Sequence, residues 1–181
     1  MVSRMRLAAF LRRFASDRSA VAAIEFVLVA PIMLTLYLGG LQLADALTIN
    51  RKVTHVSSTL GDLITQEKSL TTADVTKILD ITAGIMTPYS AAPLKIRISE
   101  IAIQNGAATV EWSQAKNYTA LTKGDPIAVP AALKIDGTYL VTAEIHYAYT
   151  PTIGYGITGT FDLHDSFFLR PRASDSIACC S

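Results

Sequence analysis

The sequence predicts an α+β fold: a long N-terminal helix, transmembrane and then amphipathic, a second helix, and a small antiparallel sheet of three to four strands. Three observations predict it. An apolar stretch near the N-terminus continues into apolar residues at helical spacing. The sequence from Thr71 to Asp74 is then a signal for the start of a second helix. From Leu94 onward, apolar residues recur at every second position, as in half-buried strands.

Composition and charge exclude several classes of protein. Half of the 181 residues are hydrophobic and only 17% are charged, which excludes intrinsic disorder. The 16 Lys and Arg residues nearly balance the 15 Asp and Glu residues, and no basic run occurs beyond the N-terminus. Nucleic acid is therefore not an expected partner. Two cysteines are too few for a disulfide framework or a cysteine zinc site.

The apolar stretch Val21–Leu41 contains a single ionisable residue, Glu25. A helix over residues 21–46 rises roughly 39 Å, which is enough to cross a hydrocarbon core of about 30 Å. We therefore expect residues 21–46 to form a transmembrane helix.

The charge distribution predicts the orientation of that helix. Residues 1–20 carry five arginines and one acidic residue. The positive-inside rule keeps this basic leader in the cytoplasm and sends residues 47–181 across the membrane as an α+β domain. A cleaved secretory signal is the alternative, with an A-x-A match at residues 44–46. The long basic region and the early carboxylate are atypical of such a signal.

The junction between the leader and the apolar stretch has a distinctive order of residues. A small residue, Ala20, precedes Val21, and Glu25 and Phe26 follow at the start of the apolar helix. This order resembles the processing site of type IV pilin-like proteins, most closely the TadE/TadF-like pseudopilins of tight-adherence (Tad, Flp) pilus systems. The resemblance places the cut between Ala20 and Val21, with Glu25 and Phe26 as the fifth and sixth mature residues. Ala20 stands where the family usually has Gly.

The resemblance implies a non-enzymatic minor pseudopilin that helps to start, cap or regulate the assembly of a Tad-type pilus. It also implies a single-pass protein of the inner membrane with residues 47–181 in the periplasm. Its implied partners are a prepilin peptidase, other pilins and pseudopilins, and the pilus assembly platform. The alternative is a membrane-anchored or secreted periplasmic binding or adaptor protein unrelated to pili.

The resemblance also implies a role for Glu25. Its carboxylate would pair with the N-terminal amine that cleavage creates on Val21 of a neighbouring subunit. Pairing within one helix is an alternative, because Val21 and Glu25 are four residues apart. Snorkelling of Glu25 into the headgroups of the cytoplasmic interface is another.

Gly40 and Ala44 are small residues at four-residue spacing in the predicted membrane helix. This spacing lets helix backbones approach closely, so we expect the pair to serve helix packing. Small residues are also common in membrane helices that lack this role.

Two helical patterns continue beyond the predicted membrane segment. An apolar stripe extends the first helix, formed by Ile49, Val53, Val56, Leu60 and Leu63. The sequence from Thr71 to Asp74 is a start signal for a second helix, which we expect Pro88 to end.

A hairpin is predicted next. Apolar alternation over residues 94–98 resumes one step out of phase at Ile101, which predicts a β-bulge near Ser99–Glu100. The dipeptide Asn105-Gly106 predicts a tight two-residue turn, after which Trp112 lies on the returning strand.

The remaining sheet is predicted from two later segments. Residues 115–137 have the composition of a loop with a short helix near residues 131–134. Alternation over residues 139–149 predicts a long strand, and residues 161–169 predict another.

One weak cluster of metal-ligand or acid–base residues is present. Glu144 and His146 share the polar face of one predicted strand, and Asp162 and His164 share that of another. Pairing of these strands would bring all four together, although a solvated outer face is the ordinary interpretation. Motifs of hydrolases, Walker-type nucleotide sites and zinc proteases are absent from the sequence, so we expect no enzyme, cofactor or metal site.

Cys179 and Cys180 are neighbours near the C-terminus. A trans peptide holds adjacent Cα atoms about 3.8 Å apart, below the usual disulfide range of about 4.4–6.8 Å. We therefore expect no bond between them, and a frayed C-terminal tail. A bridge to another chain in an oxidising periplasm is the alternative.

Overall fold

The structure, a computed structural model, describes residues 18–151 and 159–180, with the backbone alone for residues 18–20. The described chain divides into two compact units. One contains residues 18–44, and the other contains residues 45–151 and 159–180. The sequence also predicts a glycine-rich turn with Gly154, Gly156 and Gly159, and the first two of these residues lie outside the described residues. The α+β fold predicted from the sequence is confirmed.

The first helix, α1, spans Arg18–Thr65 and contains Pro31 without being ended by it. In the first unit its apolar side chains are mostly exposed, for example Phe26 at 71%. Among the described residues, α1 alone is long and apolar enough to cross a membrane.

In the second unit, α1 supplies one side of the main hydrophobic core. The predicted stripe is confirmed over Ile49, Val53, Val56 and Leu60, which are buried. The prediction was wrong for the last residue of the stripe, because Leu63 is exposed and Ile64 is buried instead. A helix of 3.6 residues per turn keeps a residue on the same face after either three or four steps, so the stripe alone did not decide between these neighbours.

The second helix, α2, spans Thr72–Ala83 and begins as predicted. Thr71 and Asp74 form a reciprocal capping box, with the Asp74 amide donating to the Thr71 hydroxyl and the Thr71 amide donating to the Asp74 carboxylate. The Thr71 hydroxyl also donates to the Asp74 carboxylate at 2.7 Å. The bond from this hydroxyl, together with the bond from the Thr71 amide, holds the pKa of Asp74 below its ordinary value. The helix ends at Ala83 and a short 3₁₀ turn follows, so Pro88 lies beyond its end rather than causing it.

Six strands complete the fold. They are β1 (Ser69–Leu70), β2 (Leu94–Gln104), β3 (Ala107–Lys116), β4 (Thr138–Tyr149), β5 (Phe161–Leu169) and β6 (Ala178–Cys179). Four form an antiparallel sheet in the order β3-β2-β4-β5, and β1 pairs with β6 in parallel. Asn105 and Gly106 connect β2 to β3 with φ values of 52° and 74°, as a tight hairpin turn requires. A 3₁₀ turn at Ala131–Leu133 confirms the short helix expected in the loop.

The predicted irregularity in β2 is present, but the additional residue lies in β3. The register between these strands shifts between Glu100 and Ile101, so Glu111 of β3 lies opposite no residue of β2. Since β2 stays in regular register with β4, Ile101 turns to the opposite face from Ile98. There it joins a second, smaller core that contains Leu140 and Val129 and is separate from the main core of the sheet.

The C-terminal region is ordered, so the expectation of a frayed tail was wrong. Residues Ala178–Cys179 pair with β1, and the Cys180 amide donates to the Leu70 carbonyl at 3.0 Å. Cys179 and Cys180 form a disulfide, although their Cα atoms are only 3.7 Å apart. The usual Cα range did not predict this bond because 3.7 Å lies below it. The chain turns at Cys180 with a φ of 67°.

Candidate functional site

The residues of the predicted processing and assembly site all lie on α1 in the first unit. The Ala20–Val21 bond is within the helix, close to its first described residue, Arg18. Val21, Glu25 and Phe26 are exposed. Val21 and Glu25 are separated by four residues, about one helical turn, so both present their side chains on one side of the helix.

The carboxylate of Glu25 lies on an apolar helix surface, where a charged group has a free-energy cost in a membrane. Its neighbours Ile24 and Val27 are large apolar residues that are mostly exposed. Scales for membrane insertion assign an acidic group a cost of about 2.5–3.5 kcal/mol at the centre of a membrane helix, and less toward its ends. A carboxylate in this apolar surface is therefore stabilised by a cationic partner or by access to the headgroup region.

Gly40 and Ala44 lie one turn apart on an exposed part of α1. Within the described part of the chain, a Cβ atom placed on Gly40 would have no neighbouring atom within 4 Å. Among the described residues, no other part of the chain fills the space beside Gly40, which fits the close approach that a face of small residues allows.

The polar cluster on the sheet is only partly assembled. Strands β4 and β5 pair so that His146 faces His164, and the two rings stack with centroids 5.6 Å apart. The His146 Nδ1 atom lies 2.8 Å from the Asp162 Oδ2 atom. Glu144 instead pairs with Arg97, whose guanidinium lies 4.6 Å from the centre of the Tyr118 ring.

This arrangement resembles a solvated ion-pair network rather than a metal centre. Because Arg97 holds Glu144, the four residues do not converge on one point. In residues 18–151 and 159–180, no group of three or more His, Cys, Asp or Glu side chains is placed to hold a metal ion.

Sequence reasoning missed a buried carboxylate, Glu100, which is 1% exposed. Its Oε2 atom accepts a hydrogen bond from Trp112 Nε1 at 2.9 Å, and its Oε1 atom accepts one from the Ile177 amide at 2.7 Å. Burial raises the pKa of Glu100 to about 6. The only sequence signal was the break in alternation at Glu100, which does not reveal its partners.

The comparison with known families concerns the first part of the chain. Residues 20–59 match the model of the TadE-like protein family. The TadE-like resemblance predicted from the junction is thereby confirmed over this segment. The segment begins at Ala20 and includes Glu25, Phe26, Gly40 and Ala44.

The TadE-like match associates the chain with Tad pilus systems, and the exposed apolar part of α1 fits a single-pass membrane anchor. The match ends at residue 59, before α2 and before every strand of the fold. No curated protein and no solved structure matches the chain.

Proposed function

We propose that this chain is a minor pseudopilin of a Tad-type pilus, without enzymatic activity, which helps to start, cap or regulate pilus assembly. Residues 21–46 anchor it in the inner membrane, and residues 47–181 form its periplasmic domain. One observation carries the proposal: a carboxylate at Glu25 interrupts the exposed apolar surface of α1 inside the TadE-like segment.

Processing is the first step of the proposed function. A prepilin peptidase removes residues 1–20 by cleaving between Ala20 and Val21. The new α-amino group on Val21 has an ordinary pKa of roughly 7.7–8.0, so it is mostly cationic at neutral pH.

Pairing of Glu25 with that amine is the second step. An unpaired ammonium and an unpaired carboxylate each lose hydration in apolar surroundings, and their pairing offsets part of this cost. In the proposal the amine belongs to a neighbouring pilin, so the pair selects subunits that have been processed. Gly40 and Ala44 then allow the helices to approach closely.

The proposal is tested by the intact mass of the protein extracted from membranes of cells with and without the prepilin peptidase. We expect a chain that begins at Val21 only when the peptidase is present. A full-length chain in both strains, or a chain that begins at Leu47 after the A-x-A match, contradicts the proposal.

Two matched variants localise the cut. Ala20→Phe places a bulky side chain at the residue before the cut and should leave the chain unprocessed. Ala15→Phe makes the same change elsewhere in the leader and should be processed normally. Equal processing of the two variants would show that the peptidase does not cleave after Ala20.

A further inference from the structure

The C-terminal segment, residues 170–180, is held against the second unit at three places, and we call it the C-terminal latch. The first place is the end of α1. The Arg172 amide donates to the Thr65 carbonyl at 2.8 Å, and the Arg172 Nη1 atom lies 2.9 Å from the Asp62 Oδ1 atom.

The second place is the side chain of Ile177, which is 1% exposed and belongs to the main hydrophobic core. The backbone of Ile177 is bound on both sides: its amide donates to Glu100, and its carbonyl accepts a bond of 2.8 Å from Trp112 Nε1. The third place is the parallel pairing of β6 with β1. Among the described residues, Glu100 is therefore the one carboxylate that accepts a hydrogen bond from the backbone of the latch.

We propose that the C-terminal latch is a pH-sensitive device in which Glu100 binds a proton when the latch is docked and releases it when the latch opens. The latch then docks more tightly as the pH falls. Opening exposes Trp112 and the Leu70 edge of β1, which the latch covers.

The sign of the effect follows from burial. In the docked state, burial raises the pKa of Glu100 from 4.5 to about 6, although the bonds from Ile177 and Trp112 lower it in part. Opening returns Glu100 to water, where its pKa is ordinary. The docked state therefore binds the proton more tightly, and acidification favours docking by a limiting factor of roughly 30.

The two groups that donate to Glu100 both keep an acceptor when the acid is protonated. Trp112 Nε1 has two acceptors, the Glu100 carboxylate and the Ile177 carbonyl. When the Oε2 atom of Glu100 takes up the proton, the indole keeps its bond to Ile177, and Oε1 still accepts the Ile177 amide. Protonation therefore leaves both donors satisfied.

Other ionisable groups face the same region. A cavity of about 830 Å³ is lined by Glu100 and the latch, and also by Asp74 of α2, Glu111 of β3, Tyr139 of β4 and Lys123. Glu111 adds a repulsion that raises the pKa of Glu100, and Lys123 is paired with Glu111. The described latch residues that line the cavity add no titrating side chain, because Cys179 and Cys180 are joined.

The test is hydrogen exchange of the full chain in detergent micelles, measured by mass spectrometry on peptides that cover residues 173–180. Rates are corrected for the intrinsic pH dependence of amide exchange. We expect the protection of these peptides to rise roughly 15-fold between pH 7.5 and pH 4.5. Protection that does not change with pH overturns the proposal.

Two variants separate Glu100 from its neighbours. Glu100→Gln imitates the protonated acid, so its latch should be equally protected at every pH. Glu111→Gln removes a carboxylate at the same cavity and should keep the pH dependence, with a slightly lower midpoint. The same pH dependence in Glu100→Gln as in the wild type rejects the role of Glu100.

A measurement on the wild type alone guards against a misfolded variant. Trp112 is the single tryptophan of the chain, and its indole contacts Glu100 directly. Its fluorescence should titrate with a midpoint near pH 6, which reports proton binding at Glu100. A fluorescence signal that stays flat between pH 4.5 and pH 7.5 also overturns the proposal.

Discussion

Gly61 of α1 lies directly against Leu169 of β5, so that a Cβ atom on Gly61 would stand 2.5 Å from the Leu169 Cδ1 atom. This is closer than two non-bonded carbon atoms can approach. The absence of a side chain at Gly61 therefore lets the helix pack on the last strand of the sheet at this point.

We predict that Gly61→Val lowers the free energy of unfolding of the second unit by about 1–3 kcal/mol, because it overpacks the contact with Leu169. Thermal or denaturant unfolding in micelles measures it. Gly61→Ala should change stability little, since the end of the Leu169 side chain can move and alanine favours helix by about 1 kcal/mol over glycine. Adding Leu169→Ala should reduce the loss of unfolding free energy that Gly61→Val causes. A loss that is unchanged in the double variant would mean that Leu169 is not the cause.

The second prediction concerns Glu25. Glu25→Ala and Glu25→Gln should insert into the membrane as well as the wild type, because each removes a charge from an apolar helix. Both should lose co-purification with the major pilin and platform proteins, since removing one partner of a buried pair costs about 3–5 kcal/mol.

A matched control for Glu25 is Thr35→Val, which alters a polar residue of the same helix whose hydroxyl donates to the Pro31 carbonyl one turn earlier. It should co-purify normally. If the two Glu25 variants also co-purify like the wild type, Glu25 serves the membrane interface and not assembly.

The third prediction concerns topology. Alkaline phosphatase fused after Ile103 should be active, because the arginine-rich leader remains in the cytoplasm and the enzyme is exported. A fusion placed before Arg12 should be inactive. The reverse pattern of activities would mean that the chain crosses the membrane in the opposite orientation.

The fourth prediction concerns the start of α2. Thr71→Ala removes the hydroxyl that accepts the Asp74 amide and should lower the free energy of unfolding by about 1 kcal/mol. Thr72→Ala alters the next residue, which is exposed and is not the cap, and should have little effect. Circular dichroism during denaturant unfolding measures both. Equal losses in the two variants would show that the capping bond does not contribute.

Local periodicity was sufficient to predict most of the fold. The helical stripe over Ile49–Leu60, the capping signal at Thr71 and the turn at Asn105-Gly106 each depend on residues within a few positions of one another. These features are decided by the backbone geometry of a helix or a hairpin, which short sequence patterns report directly.

The features that the sequence did not predict depend on contacts between residues that are far apart along the chain. The two donors to Glu100 are 12 and 77 residues away in the chain, so Glu100 appeared in the sequence only as a break in a strand pattern. Ile177 is a single apolar residue after polar ones, and no periodicity marked it as part of the core. The site on the N-terminal helix was predicted from resemblance, because its role depends on partners outside the chain.

The pairing of β6 with β1 determines when the second unit can be completed during synthesis. A chain emerges from the ribosome with its N-terminus first, so β1 and Glu100 are available long before Ile177. Until Ile177 arrives, the main core lacks one of its members, and Leu70 and the indole of Trp112 lack the backbone groups that they bind in the finished fold. The domain therefore reaches its final form only after its last strand has left the ribosome.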